Sequence, residues 1–182
     1  MDALAAKRLE ELVRAHRAAV VSYARRRAPA ESVDDVVAET FLVAWRRLER
    51  VPVASPLPWL LAVARNVIAT QRRAAGRRDA LYLRLRERTP GEAADSPSVD
   101  DQGGPVAVAM ASLGEKDREA LVLVACDGLR PREAATVLGE PPSVFYVRLH
   151  RAKRRLRRQL DKQREQPAES CPRPLQAKET IQ

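Results

Sequence analysis

Apolar residues recur three and four positions apart along most of this chain, the spacing that gathers them on one face of an α-helix. Before residue 80 these stripes predict three helices. The first runs from Ala3 to Ala28, the second opens at Ser32 as its N-cap, and the third starts near Ser55. The second stripe is the most regular, and its predicted buried face is Val33, Val36, Val37, Thr40, Phe41, Ala44 and Leu48.

The same spacing predicts three further helices nearer the C-terminus. They run from Glu115 to Cys126, from Pro131 to Gly139, and from near Ser143 onward. Gly128 and Gly139 follow the first two, where glycine readily takes the left-handed conformation that ends a helix. The short helix, the glycine turn and the last helix form a helix-turn-helix pattern. The predicted inward face of the last helix is Phe145, Leu149, Ala152 and Leu156.

A polar segment separates the two groups of helices. Residues 89–105 hold four acidic residues, three prolines, three glycines and no lysine or arginine, a composition too polar and too broken to pack. The sequence therefore predicts an all-α protein of two small helical domains joined by a flexible acidic linker. Its predicted parts are a helical domain (1–88), the linker (89–111), a helix-turn-helix domain (112–162) and a disordered tail (163–182).

Charge points to an acidic partner, because the net charge is +9 and nine basic residues lie between 148 and 164. That partner is either nucleic acid or a membrane surface. No apolar run is long enough to span a bilayer and the charged N-terminus lacks a signal peptide's apolar core, so we expect a cytoplasmic protein. Cys126 and Cys171 show no ligand spacing and are expected to be free thiols, and no metal or other cofactor is predicted.

The last helix is the first candidate site. If its predicted inward face is buried, an apolar cluster flanked by arginines faces outward, and in a major groove such a cluster can meet thymine methyl groups while an arginine binds a guanine edge. The alternative is a wider buried stripe beside a solvated basic face. The outward residues are Val144, Tyr146, Val147, His150, Arg151 and Arg154.

Two first-domain helices carry weaker candidates. In the second helix, Asp34, Asp35, Glu39 and Leu42 suggest a protein-docking face, although the acids could instead complement the helix dipole or form the metal site of a nuclease. The third helix offers donors that could track single-stranded nucleic acid, or could simply be solvated. These donors are Arg65, Asn66, Thr70, Arg72 and Arg73.

Six segments, taken in order, resemble the extracytoplasmic-function group of bacterial sigma factors over roughly residues 5–160. They are DDVVAETFLVAWRR, WLLAVARNVI, the acidic linker, LGEKDREALVL, LRPREAATVLG and VRLHRAKRRLRR. The resemblance implies a non-enzymatic subunit that binds RNA polymerase core and directs promoter-specific initiation. It also implies that the Asp34, Asp35, Glu39 and Leu42 face docks on the clamp coiled coil of the largest polymerase subunit. The second domain would sit on the flap of the second-largest subunit. Members of this group are often held inactive by an anti-sigma factor, which is therefore a candidate partner.

The resemblance also assigns the promoter DNA contacts. The minus-ten element would be read as unstacked single strand by Val53, Ser55, Arg65, Asn66, Thr70, Arg72 and Arg73. The minus-thirty-five element would be read as duplex by Arg130, Arg132, Ser143, Val144, Tyr146, Val147, Arg148, His150, Arg151 and Arg154.

The chain departs from the usual pattern of the group at four positions. Ala38 stands where the docking motif commonly has Gln, and Arg130 replaces the usual Ser or Thr helix cap. Tyr146 and Val147 replace a basic and a small polar residue, so the minus-thirty-five preference cannot be copied from relatives. A freestanding helix-turn-helix regulator that binds duplex DNA as a dimer is the alternative function, but it leaves residues 34–78 without a role.

Overall fold

The computed structural model describes residues 3–85 and 104–165, and within these ranges the chain is helical without strands. This confirms the all-α prediction. The α-helices are α1 (Ala3–Arg25), α2 (Val33–Arg46), α3 (Pro56–Leu85), α4 (Pro105–Ala111), α5 (Glu115–Ala125), α6 (Pro131–Leu138) and α7 (Pro142–Glu165). The linker prediction over 89–103, the predicted tail beyond 165 and Cys171 lie outside the described residues.

Helices α1, α2 and α3 pack against one another and form the first lobe. The whole predicted stripe of α2 is buried, and Thr40 is tolerated there because its hydroxyl donates to the Val36 carbonyl oxygen at 2.7 Å. Tyr23 of α1 and Leu60 of α3 are fully buried in the same core. Local periodicity therefore predicted how this lobe packs.

Two details of the first lobe differ from the predictions. Helix α1 ends at Arg25 instead of Ala28, and in the turn that follows, the amides of Arg27 and Ala28 both donate to the Ala24 carbonyl oxygen. Ser32 occupies the N-cap position of α2 as predicted, but not with the side-chain cap that a serine usually supplies there. A 3₁₀ turn over Ala30–Ser32 leads into α2, and the Ser32 side chain makes no capping hydrogen bond.

Helices α4 to α7 form the second lobe, in which α4, α5 and α6 all contact α7. Gly128 and Gly139 both have φ of +68°, as predicted for glycines that end helices. At the start of α6, the Arg130 amide donates to Glu133 Oε2 at 2.8 Å, so Glu133 caps a helix whose first residue is proline. Helix α4 lies within the segment predicted as linker, and it is ordered by packing on α7.

The two lobes also pack directly on each other. Helix α3 of the first lobe lies against α6 of the second, and buried residues of both lobes form one continuous apolar cluster. Sequence reasoning predicted two domains joined by a tether and gave no sign of this contact. The contact determines which candidate residues are open to a partner.

Candidate nucleic-acid interface

Helix α7 has two sharply different faces. Phe145, Leu149 and Ala152 are buried against the second-lobe core, as predicted. The outward apolar cluster of Val144, Tyr146 and Val147 is 48%, 47% and 50% exposed. A half-exposed apolar cluster on an otherwise basic helix suits a partner that offers both methyl groups and phosphates. This exposure excludes the alternative interpretation, in which these three residues belong to a wider buried stripe.

The residues around this cluster form an open groove of about 430 Å³ between α5 and α7. Arg151 lies exposed in the groove, whereas Arg148 pairs with Glu140 and is only partly exposed. Arg155 pairs with Asp117 across the same groove. Arg151 is therefore the groove arginine that these two ion pairs leave available. The groove is lined by Asp117, Ser143, Val144, Val147, Arg148, Arg151 and Arg155.

The remaining residues of the predicted minus-thirty-five set are also accessible. Arg130 and Arg132 are exposed at the start of α6, and His150 and Arg154 are exposed on α7. The start of α6 and the outer face of α7 belong to the same lobe, and the turn at Gly139 connects the two helices. The described second lobe thus presents the exposed and basic surface that helix-turn-helix binding to duplex DNA requires.

The predicted docking residues share one exposed face of α2. Asp34, Asp35 and Glu39 are exposed, and Leu42 beside them is 40% exposed. They lie opposite the stripe that packs against α1 and α3. An acidic rim around an apolar residue is the composition of a small protein-docking surface.

The predicted minus-ten residues divide into two groups. Val53, which is 86% exposed, together with Asn66 and Thr70, is open to solvent. Arg73 donates to Thr70 Oγ1 at 3.1 Å, so these two residues form an exposed polar pair on α3. This group remains available to a ligand.

The other group is already engaged within the protein. Arg65 Nε donates to Glu119 Oε1 at 3.2 Å, and Ser55 Oγ donates to Glu133 Oε1 at 3.3 Å. Both acceptors belong to the second lobe. Arg72 donates to the Arg27 carbonyl oxygen at 2.5 Å, within the first lobe.

Sequence reasoning missed the carboxylates that face these residues. Glu119, Asp127 and Glu133 lie along the side of the second lobe that meets the first, and Asp127 accepts from both Arg26 and Arg27. No spacing signal could have identified them, since Asp127 and its partners are about 100 positions apart in the chain. We call these three residues the carboxylate edge.

Two ionisable groups of α1 have shifted pKa values. Burial raises the pKa of the Tyr23 phenol to about 12, the nearby Arg27 opposes the shift, and Glu119 adds to it. The Arg27 guanidinium lies 3.8 Å from the centre of the Tyr23 ring. Partial burial lowers the pKa of His16 on α1.

Within residues 3–85 and 104–165, no three His, Cys, Asp or Glu side chains are grouped so that they could hold a metal ion. None of the helices there is both long enough and apolar enough to cross a membrane.

Family models match both lobes. Sigma-70 region 2 matches residues 12–78, and Sigma-70 region 4 matches residues 104–156. The chain thus consists of two helical regions of a bacterial transcription initiation factor. It belongs to the sigma-70 family of RNA polymerase sigma factors, in the extracytoplasmic-function group.

Individual relatives agree with this assignment. The chain is 32% identical over 163 residues to the RNA polymerase sigma factor CnrH of Cupriavidus metallidurans, which covers 83% of this chain and 85% of CnrH. It is 33% identical over 146 residues to the sigma factor SigL of Mycobacterium tuberculosis H37Rv, and the match covers 78% of this chain and 82% of SigL. A probable sigma factor of Xanthomonas campestris, RfaY, is 29% identical, and the match spans only 34% of RfaY.

Solved structures resemble the fold as well. CnrH in complex with the cytosolic domain of CnrY gives a TM-score of 0.56 at 29% identity, covering 87% of this chain and 96% of CnrH. The sigma factor RpoE of Bartonella quintana, in complex with the anti-sigma factor NepR, gives a TM-score of 0.54 at 25% identity, covering 85% and 95%. Sigma factors bind RNA polymerase core and promoter DNA and are not themselves enzymes.

Proposed function

We propose that this chain directs RNA polymerase to promoters whose minus-thirty-five element is read as duplex by α7 and whose minus-ten element is held as single strand by the first lobe. The observation that carries the proposal is the half-exposed cluster of Val144, Tyr146 and Val147 beside the exposed Arg151. About half of each of these three side chains stays exposed to solvent, and the chemistry of this face suits a major groove.

Within that groove, Arg151 is the candidate for bidentate contact with a guanine edge, because Glu140 and Asp117 already pair with the other two groove arginines. Val144 and Val147 would contact thymine methyl groups. Tyr146 adds an aromatic face and a hydroxyl. Arg130 and Arg132 at the start of α6 would hold the phosphate backbone and set the register.

The first lobe would capture bases of the separated non-template strand. Val53 lies on an exposed loop, and Asn66, Thr70 and Arg73 follow it along one side of α3, where they can donate to base edges and phosphates. Arg65 and Ser55 complete this surface once their second-lobe partners are removed. Holding flipped bases offsets the few kcal/mol that unstacking costs at each step.

The acidic face of α2 would attach the factor to the clamp coiled coil of the largest polymerase subunit, with Leu42 as its apolar centre. The second lobe would rest on the flap of the second-largest subunit. Ala38 lies on the exposed side of α2 and offers no polar side chain, so Asp35 and Glu39 would carry the polar contacts.

By analogy with CnrH bound to CnrY and RpoE bound to NepR, an anti-sigma factor is a further proposed partner. Transcription initiation takes place in the bacterial cytoplasm, where we therefore expect the protein to act.

In vitro transcription tests the proposal. The protein is added to core polymerase and a library of promoter fragments, and run-off transcripts that share an upstream element are the expected result. Tight binding of duplex DNA by the protein alone, without any effect on initiation, would point to a freestanding regulator. Metal-dependent DNA cleavage would instead indicate a nuclease.

A further inference from the structure

Asp117 is the only acidic residue among the described residues that line the groove between α5 and α7. It lies in the first turn of α5, where its side chain is 14% exposed and accepts a hydrogen bond from Arg155. Glu119 of the carboxylate edge follows two positions later and therefore lies on the opposite side of α5. A carboxylate in the groove repels an approaching phosphate backbone, so on its own it lowers the affinity of this surface for DNA.

The partner of this carboxylate lies one helical turn beyond Arg151. Arg151 and Arg155 are four positions apart on α7, so their side chains lie along the same side of the helix. Long side chains on a helix lean toward its N-terminus, and an unpaired Arg155 would therefore extend toward the DNA contacts of Arg151. The pair with Asp117 holds it on the α5 side of the groove instead. Releasing Arg155 would leave a largely shielded carboxylate without its counter-charge, which favours the paired arrangement.

Positive charge on α7 is neutralised within the groove and left available outside it. In the groove, the carboxylates of Glu140 and Asp117 pair with two of the three lining arginines. Outside the groove, three exposed arginines of α7 form no ion pair among the described residues. They are Arg154, Arg157 and Arg158.

This distribution of charge favours sequence-dependent over sequence-independent binding. Phosphates recur at every step of a duplex and carry no sequence information, whereas an arginine that reads a guanine edge gains affinity at one position only. A further cation in the groove would strengthen binding to any sequence. In the one register that Arg151 fixes, that cation could reach few phosphates, so the preferred element would gain less than unrelated DNA. Specificity is a difference of affinities, and a carboxylate that removes an unspecific contact increases it.

On the basis of the proposed function, we infer that Asp117 is a specificity-determining residue for the minus-thirty-five element, because it holds Arg155 away from the DNA backbone and leaves base reading to Arg151. Asp117 itself makes no contact with DNA. It is a positioning residue that acts through Arg155, so its replacement changes the difference in affinity between sequences and does not abolish binding.

Fluorescence anisotropy of the full chain with a fluorescein-labelled duplex of mixed sequence tests the position of Arg155. Asp117→Asn should tighten binding roughly 3- to 10-fold at 50 mM salt, because Arg155 gains a phosphate contact. One such contact steepens the slope of log affinity against log salt by about 0.9, so the gain should be roughly threefold smaller at 200 mM. Circular dichroism checks the helices of each variant, and Asp117→Ser takes the place of Asp117→Asn if the latter is poorly folded.

Two controls separate the release of Arg155 from a change in net charge. Glu115→Gln removes a negative charge from the same turn of α5, at an exposed position without an ion pair among the described residues, and should leave the salt slope unchanged. Asp117→Asn combined with Arg155→Gln should lose the gain of the single variant. Arg155→Gln alone should bind almost as tightly as wild type, because Arg155 is already paired.

Binding of the polymerase complex to a library of minus-thirty-five variants measures specificity. Asp117→Asn should narrow the range of affinities across the library, because the weakest sequences gain most. Equal tightening of all members would overturn the inference. So would an unchanged salt slope on the mixed duplex, an equal effect of Glu115→Gln, or a gain that persists when Arg155 is also replaced.

Failure of the proposed function would give a different result. The wild-type complex would then show no preference across the library and no run-off transcripts with a shared upstream element. The salt measurements on the mixed duplex would still decide whether Asp117 holds Arg155 away from phosphates.

Discussion

Glu140, in the turn between α6 and α7, forms an ion pair with Arg148 on α7, and both side chains are largely shielded from water. The second carboxylate oxygen of Glu140 is buried and has no hydrogen-bond partner among the described residues. The pair holds the Arg148 guanidinium against the turn. It thereby distinguishes an arginine that supports the helix-turn-helix from Arg151, which stays exposed and is the proposed DNA-reading residue.

Glu140→Gln should destabilise the protein by about 1 kcal/mol, because a partly buried guanidinium loses its counter-charge. For a chain of this size, that corresponds to a decrease in Tm of roughly 2–4 °C. Thermal unfolding followed by circular dichroism measures the change. Glu10→Gln, at an exposed position on α1, is the matched control, and an equal decrease in both variants would contradict a structural role for the pair.

Phe145→Ala should cost about 3–5 kcal/mol of unfolding free energy, because it empties a fully buried site in the second lobe. The adjacent Tyr146→Ala should change stability by less than about 0.5 kcal/mol, since that side chain projects outward. Urea denaturation measures both. Similar losses in the two variants would mean that the orientation of α7 is wrong.

Arg151→Ala should cost roughly 1–3 kcal/mol of binding to the preferred promoter and relax the preference at one base pair. Arg158→Ala, at an exposed position further along α7, should instead weaken binding to all sequences about equally. Binding of the polymerase complex to a library of minus-thirty-five variants measures both effects. A uniform loss in Arg151→Ala would make this residue a phosphate contact only.

Reversing two charges on α2, with Asp35→Arg and Glu39→Arg together, should abolish association with core polymerase and leave the helical content intact. The physical reason is that the acidic rim would then repel the surface it now attracts. Co-elution on size-exclusion chromatography measures the association. Glu10→Arg with Glu11→Arg makes the same charge change on exposed positions of α1 and should leave co-elution unaffected.

The unfolding free energy should decrease as the pH rises from about 10 to about 12. The Tyr23 phenol has a pKa near 10.0 when unfolded and about 12 when folded, so in this window only the unfolded chain releases the proton. The contribution of Tyr23 is complete below pH 10 and is lost as the pH passes the folded value, a full change of roughly 3 kcal/mol.

Tyr23→Phe isolates this contribution from all other titrating groups. The difference in unfolding free energy between wild type and variant, measured in urea at several pH values, should change across this window. At neutral pH the variant should be as stable as wild type or more stable, because it removes a buried hydroxyl without a partner. A pH-independent difference would contradict the burial of Tyr23.

Sequence periodicity predicted the parts of the fold that depend on neighbours along the chain. The buried stripe of α2, the glycines at 128 and 139 and the two faces of α7 all follow from spacing and backbone preference. Helix α4 could not be predicted in this way. A helix of seven residues is not stable alone, and packing on α7 stabilises it.

Contacts between the lobes were beyond prediction for a related reason. Periodicity indicates that Arg65 points away from the first-lobe core, but not that Glu119, 54 positions later, faces it. The same holds for Ser55 and Glu133. Consequently the candidate DNA residues could be identified as a set, whereas the division into open and occupied members required the folded chain.

Helix α3 serves both lobes at once, and this limits how its sequence can diversify. Leu60, Leu61, Ala64 and Ile68 are fixed by the first-lobe core, and the neighbouring Arg65 is tied to Glu119. The positions left free lie in the narrow strip that includes Asn66, Thr70 and Arg73. Under the proposed function, substitutions in that strip would alter the bases that are held without disturbing either the core or the contact with the second lobe. Evolution of new minus-ten preferences in close relatives should therefore be concentrated there.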